Sequence, residues 1–416
     1  MRVYISDDDM CTTQKLNLAR VQKWLEANGC SIVAEPEDAE RVICMTCNGW
    51  ALLEENSYER IDHLSSKARD KMIVVGCVVD AHPEKVKEIW NGPVVRTRSE
   101  GPLSFAGIEE LFPDFKVGLS EIPAQSEFRR SEDYRDNSKI RKFVNIAEGC
   151  SFACSFCTHK PGLGPRRSRT LEDILEQFRT FEGEDVDVVH LMGMETGLWG
   201  LDFGLGYPDL LERVTDLPGK FDIHVAQFQP HGLKIHGQRL VDAFSHRRVT
   251  DIQMPIQSTS DRIMKMMNRK NHSAEISGYL KEVRERNTRV VMRTDVIVGW
   301  PTETTEERQH SLDYAAAHFD EVATYAIELH PDLPAWKYKD EAFPPEELQQ
   351  ILQDSRVYLE ERGVVAHSGQ QDDAAMASAE EKRISLRAMK ANDLDPRMES
   401  RPFISVESLT GRETHA

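Results

Sequence analysis

At 416 residues, with 29% charged residues and a formal net charge of −18, the chain is too long for one compact core and calls for two or three domains that need no disulfide staples. The acidic balance argues against broad, non-specific affinity for a polyanion, which rests on Lys and Arg neutralising phosphates. The start, MRVYISDDDM, has no apolar h-region and no run of about 18 apolar residues occurs, so neither a signal peptide nor a membrane span is expected, and the expected compartment is the cytoplasm.

Residues 1–118 alternate short apolar runs (3–5, 41–45, 72–75) with amphipathic stretches (13–28, 52–67). That alternation predicts a βαβα domain with a parallel sheet. Residues 119–139, which include RRSEDYRDNSK, lack apolar periodicity and read as a linker. From 140 to 343 the alternation resumes, with strand-like runs at 143–147, 186–192, 221–226, 250–256, 290–298 and 322–327. Helix-like stretches lie between them, among them 170–181, where Thr170 and Asp173 form an N-cap pattern, and 304–318. Six such repeats predict a partial (β/α)6 barrel. Residues 344–416 read as a mostly helical extension, with a helix at 345–362, a small polar stretch at 367–381, a further helix from Lys382 and a strand signal only at 403–406. The fold class is therefore α/β: a parallel-sheet domain, a partial barrel and a helical tail.

In a reducing compartment the eight cysteines are expected as metal ligands, catalytic groups or buried thiols. Cys150, Cys154 and Cys157 fall within eight residues, in the loop after the first barrel strand, on the face where such barrels build active sites. Three soft thiolates can hold three irons of a 4Fe–4S cubane and leave the fourth open. A Cys3His zinc site with His159, or three buried thiols, are the alternatives. In the first domain, Cys11, Cys47 and Cys77 each follow a predicted strand. The carboxyl ends of parallel strands open onto one edge, so these thiols are expected to converge. Cys30 and Cys44 read as small buried hydrophobes. The basic run Arg166, Arg167 and Arg169 reads equally as a solvated loop or a substrate-facing patch.

The segment EGCSFACSFCTHKPGLGPRRSR resembles the cluster loop of the radical S-adenosylmethionine (SAM) methylthiotransferases. The resemblance continues through LMGMETGLWGLD, QMPIQSTSDRIMKMMNRK and TDVIVGWPTET, and through MTC and VVGC, which end at Cys47 and Cys77. It covers about residues 1–340. The family implies two 4Fe–4S clusters and SAM, with the radical cluster on Cys150, Cys154 and Cys157 and an auxiliary, sulfur-carrying cluster on Cys11, Cys47 and Cys77. It also implies an electron donor of flavodoxin or ferredoxin type. By the same resemblance, Phe156, Gly193, Glu195, Gln257, Ser258, Asp295 and Gly299 are the expected cofactor contacts, each of which also reads as an ordinary turn or strand-end residue. His159 reads as a proton donor or a solvated loop residue.

Two departures bear on the substrate. Family members acting on transfer RNA usually finish with a small β-barrel, whereas residues 366–416 here hold 7 Lys and Arg against 9 Asp and Glu and read as helix and polar linker. The stretches ELHPDLPAW and VAQFQPHG also differ from the family pattern and are expected to shape the pocket. The leading expectation is methylthiolation of an unactivated carbon in a peptide or protein side chain. Transfer RNA adenosine, a small-molecule natural product and a non-catalytic metal-binding scaffold are the alternatives.

Overall fold

The computed structural model describes residues 1–6, 10–49, 51–97, 105–127 and 140–368, together with 382, 386 and 390. The predicted linker from residue 128 onward, and the predicted strand at 403–406, lie outside the described residues. The chain forms two compact units, one of Met1–Ser151 with Cys157–Met194 and the other of Phe152–Phe156 with Glu195–Ala416.

The first unit begins with β1 (Arg2–Ser6), α1 (Thr12–Ala27), β2 (Ser31–Val33), β3 (Arg41–Thr46) and α2 (Ala51–Ala68). It continues with β4 (Met72–Gly76), α3 (Cys77–Ala81), α4 (Pro83–Ile89) and β5 (Val94–Arg96). The five strands pair in parallel in the doubly wound order β2-β1-β3-β4-β5. Alternation along the strands feeds two cores, as both faces are covered. Ile43, Met45, Ile73 and Val75 pack with Leu18, Val21 and Trp24 on one face. Val42, Cys44, Met72 and Val74 pack with Ile61, Leu64 and Val78 on the other. Each such side chain, fully buried, contributes about 1.5–3 kcal/mol. Cys44, fully buried, and Cys30, 9% exposed, are core residues as expected.

The same unit also holds β6 (Arg141–Glu148), β7 (Arg167–Ser168), α5 (Leu171–Arg179) and β8 (Val188–Gly193), with β6 paired parallel to β8 and antiparallel to β7. The Thr170 hydroxyl caps α5 by accepting from the Asp173 N–H at 3.1 Å, the pattern predicted from the sequence.

In the second unit, α6 (Tyr207–Thr215), β9 (Asp222–Val225), α7 (Pro230–His236), α8 (Gln238–Phe244) and β10 (Val249–Gln253) are followed by α9 (Asp261–Met266), α10 (Ser273–Arg286) and β11 (Val291–Val298). The unit ends with α11 (Thr305–His318), β12 (Glu321–Ala326), α12 (Pro345–Glu361) and β13 (Val365–Ser368). Strands β9 to β13 pair in parallel in sequence order. Strands β6, β8, β9, β10, β11 and β12 are the six predicted. β13 was not predicted: four residues reading VAHS give too short a pattern to separate strand from polar linker. It extends the sheet beside β12, with His367 Nε2 3.0 Å from Glu321 Oε1. The predicted helix at 345–362 is α12. Residues 382, 386 and 390 are helical, and the Lys390 ammonium is buried against Asp320 at 3.0 Å. No helix among the described residues is long and apolar enough to cross a membrane.

Candidate functional site

The first cysteine set is positioned by the carboxyl edge of three adjacent strands. Cys11 is the N-cap of α1, Cys47 directly follows β3, and Cys77 opens α3 directly after β4. The Cys11 and Cys47 thiols are hydrogen-bonded to each other, and Gln14 Nε2 donates to Cys77 Sγ at 3.3 Å. The bond from Cys11 lowers the Cys47 thiol to about 6. Its donor is held well above the ordinary thiol range, first by that bond and then by burial. Burial, followed by the Cys47 charge, pushes Cys77 up to about 12. Charge on Cys47 thus opposes ionisation of its two neighbours, and a bound cation would favour it. That donor set fits a soft metal or an iron–sulfur cluster.

Glycine shapes both cysteine loops. Gly76 has φ +118°, and a Cβ there would lie 2.2 Å from the Thr46 carbonyl oxygen. Gly149, just before Cys150, has φ +69°, and its Cβ would lie 2.2 Å from the Pro165 oxygen. Neither place admits a side chain.

The chain leaving Cys157 is fastened to the first cysteine set. Asn48 Nδ2 donates to the Thr158 oxygen at 2.9 Å, and Thr158 Oγ1 donates back to the Gly49 oxygen at 2.5 Å. Gly162 passes so close to Cys77 that an added Cβ would sit 3.1 Å from its carbonyl oxygen. Lys160 Nζ closes the turn by donating to the Cys150 oxygen at 2.6 Å. Desolvation pushes the half-buried His159 imidazole down to about 4. This segment therefore joins ligand candidates from both sets within one compact unit.

Residues 152–156, which include Cys154, belong to the second unit. The turn after α9 pins them: the Ser155 N–H donates to the Met267 oxygen at 2.9 Å, its Oγ to the Met266 oxygen at 2.8 Å, and Asn268 Nδ2 to the Ala153 oxygen at 2.6 Å. Arg269 Nη1 donates to Cys154 Sγ at 3.7 Å. The block MNRK thus shapes the cysteine loop. Asn268 adopts φ +54°, a left-handed conformation Asn tolerates.

The expected cofactor contacts divide by environment. Phe156 packs edge-on against Trp300, 5.9 Å between ring centroids. Gly193 ends β8, and Glu195, fully buried, precedes a short helical turn. Gln257 carries a left-handed backbone at φ +69° and bridges β11, its N–H donating to the Asp295 oxygen at 2.9 Å. A non-glycine residue held there is a strained position of the kind that clusters at functional sites. Ser258 turns its hydroxyl to Ser311 at 3.2 Å. Asp295 lies inside β11 and accepts from Gln253 Nε2 at 3.2 Å; burial raises it to about 6 against the pull of Arg293. The Gly299 N–H donates to Glu303 Oε2 at 2.8 Å.

Burial lifts Glu303 from 4.5 to about 7, against that amide and Arg308. The folded state thus holds a proton that the unfolded chain releases in this window, so stability falls as pH rises from about 4.5 to about 7. Glu303→Gln is expected to melt above wild type at pH 8, by on the order of 2 kcal/mol, and with it at pH 4. Thermal melts across that range check this; a constant gap would contradict it.

Sequence reasoning missed a polar chain in the second unit. His272 Nδ1 lies 2.6 Å from Glu275 Oε2, and His272 Nε2 lies 3.0 Å from His231 Nδ1. With Glu275 ionised and both imidazoles neutral, each ring carries its proton on Nδ1, and His231 Nε2 is left as an acceptor. His231 and His272 line a cavity of about 360 Å³ with Phe152, Ser258, Arg269 and Lys270. His231 falls in VAQFQPHG, the stretch whose departure from the family pattern was the one signal available.

Residues 144–315 match the radical SAM superfamily, and residues 10–95 match uncharacterized protein family UPF0004. The fold and the cysteine-bearing loops thereby define a radical SAM transferase, which works with SAM, a 4Fe–4S cluster and a reductant. Ribosomal protein uS12 methylthiotransferase RimO of Thermotoga petrophila is 30% identical over 332 residues, covering 76% of this chain and 71% of that protein. RimO of Thermosipho africanus is 29% identical, covering 79% and 76%. The tRNA-2-methylthio-N(6)-dimethylallyladenosine synthase of Thermotoga petrophila is 28% identical over 362 residues, covering 85% and 80%. The chain belongs to the radical SAM methylthiotransferase family. In fold it is similar to the radical SAM methyltransferase TsrM of Kitasatospora setae, at a TM-score of 0.60 and 14% identity over 80% of this chain and 76% of that one.

Proposed function

We propose that this methylthiotransferase carries two 4Fe–4S clusters, one on Cys150, Cys154 and Cys157 and one on Cys11, Cys47 and Cys77, and modifies a protein side chain. The observation that carries the two-cluster reading is the fastening of residues 158–162 onto Asn48, Gly49 and Cys77. Bound, the clusters and SAM supply a carbon radical for hydrogen abstraction and a sulfur donor for the same carbon. The chain's residues do the rest. Asn268 and Arg269 hold residues 153 and 154, Thr158 and Asn48 tie the chain leaving Cys157 to the set of Cys11, Cys47 and Cys77, and Phe156, Gly193, Glu195, Gln257, Ser258, Asp295 and Gly299 supply the cofactor environment.

A protein substrate is supported by the 30% identity to a uS12 methylthiotransferase and by the 9-to-7 excess of acid over base in residues 366–416. The wider coverage by the tRNA-modifying relative favours transfer RNA adenosine as the second reading. Reconstituted enzyme, SAM and a reductant, offered the organism's uS12 and its transfer RNA separately, decide between them by mass spectrometry of each. A methylthio group on transfer RNA alone would overturn the protein reading.

His231 Nε2 is assigned to the substrate, as an acceptor for an N–H or O–H group. His231→Phe is expected to raise KM for the modified macromolecule about tenfold, the loss of one hydrogen bond to a desolvated group. SAM cleavage should be unchanged in a 5′-deoxyadenosine assay. An unaltered KM would remove His231 from substrate recognition.

A further inference from the structure

We infer that the His159 imidazole donates an Nε2–H hydrogen bond to a sulfur of the cluster on Cys11, Cys47 and Cys77, and so sets that cluster's reduction potential. The inference rests on the two-cluster reading. His159 stands two residues after Cys157, yet its ring faces the other set. A Cβ on Gly49 would lie 3.2 Å from His159 Nε2 and 3.6 Å from Cys47 Sγ, so nitrogen and thiol border one small space that Gly49 leaves open. The ring has no hydrogen bond to another described side chain, while its backbone neighbours are held on both sides.

Thr158 is tied to Asn48 and Gly49, and the His159 oxygen accepts from the Gly162 and Leu163 N–H groups at 3.1 and 3.0 Å. Gly162 in turn rests on Cys77. The imidazole is thus delivered to the sulfur edge by a segment fixed at both ends. A nitrogen bound to iron would close the fourth position of a three-cysteine cluster, whereas an N–H donor leaves it open for sulfur. Hydrogen bonds to cluster sulfurs stabilise the reduced, more negative state and raise the potential.

The test uses the full chain with Cys150, Cys154 and Cys157 replaced by Ala, so that only the auxiliary cluster is reconstituted, at about four irons per chain. Redox titration followed by electron paramagnetic resonance compares this background with added His159→Val and His159→Gln. The expected result is a lower potential for Val and recovery of most of that shift for Gln, which keeps an N–H donor, at equal iron content. Equal potentials for Val and the background would overturn the inference alone. So would a directly bonded nitrogen coupling in pulsed spectra that disappears in Val. A background variant that binds no iron would overturn the two-cluster reading and this inference with it.

Discussion

Cys47→Ala is expected to abolish methylthio transfer while leaving reductive cleavage of SAM in place. Cys47 is 1% exposed and lies between Cys11, to which it is hydrogen-bonded, and Cys77, whose thiol its charge pushes up. Removing it takes away the middle one of three thiols and the hydrogen-bond partner of Cys11, and leaves two donors where the set needs three. The loop with Cys150, Cys154 and Cys157 keeps its own fastenings, the Lys160 bond to the Cys150 oxygen and the Asn268 bond to the Ala153 oxygen. Mass spectrometry of 5′-deoxyadenosine and of the methylthio product in one reaction separates the two activities. Loss of both together would place Cys47 in the cofactor-cleaving site; retention of both would remove it from the chemistry.

Gly76→Ala is expected to cost about 3 kcal/mol or more and to empty the first cysteine set. At φ +118° and ψ −171° the residue occupies a conformation essentially restricted to glycine. The added Cβ would lie 2.2 Å from the Thr46 oxygen and 2.9 Å from the Thr46 nitrogen, both backbone atoms. Neither can yield cheaply, because Thr46 and Gly76 are register partners in the β3–β4 ladder. Relief therefore requires parting the strands that carry Cys47 and Cys77. A melting temperature lower by roughly 6–12 °C, with about half the wild-type iron, is the expected outcome. A variant that melts and binds iron like wild type would contradict the geometry given for this turn.

The convergence of Cys11, Cys47 and Cys77 was legible because it follows from a rule about parallel sheets: once three apolar runs are read as neighbouring strands, the residues after them share an edge. Thr170 was legible as a helix start for a similarly local reason, a hydroxyl three residues before an acidic side chain, and the same pattern stands at Thr304, where only a helix-like stretch was read. Thr304 accepts from the Glu307 N–H at 3.2 Å. Strands β2 and β5 are three residues each, and β13 is four, too short for periodicity to register.

The rest of the site depends on pairings between distant segments. Nothing in THK indicates that Thr158 bonds Gly49, 109 residues away. MNRK carried a resemblance, but its physical role appears only where Asn268 and Arg269 meet residues 153 and 154. The chain Glu275–His272–His231 joins two helices and a loop, and each member alone reads as an ordinary polar residue. Asp295 lies within β11, inside the strand-like run 290–298 read from the sequence.

Iron and acid-labile sulfide content after anaerobic reconstitution, compared between wild type and the Cys150/Cys154/Cys157 to Ala triple variant, tests the two-cluster claim most directly. Each cubane of this type carries four irons, so about eight per chain falling to about four is the predicted result. About four falling to none would contradict it, leaving a one-cluster radical enzyme in which Cys11, Cys47 and Cys77 hold no cluster.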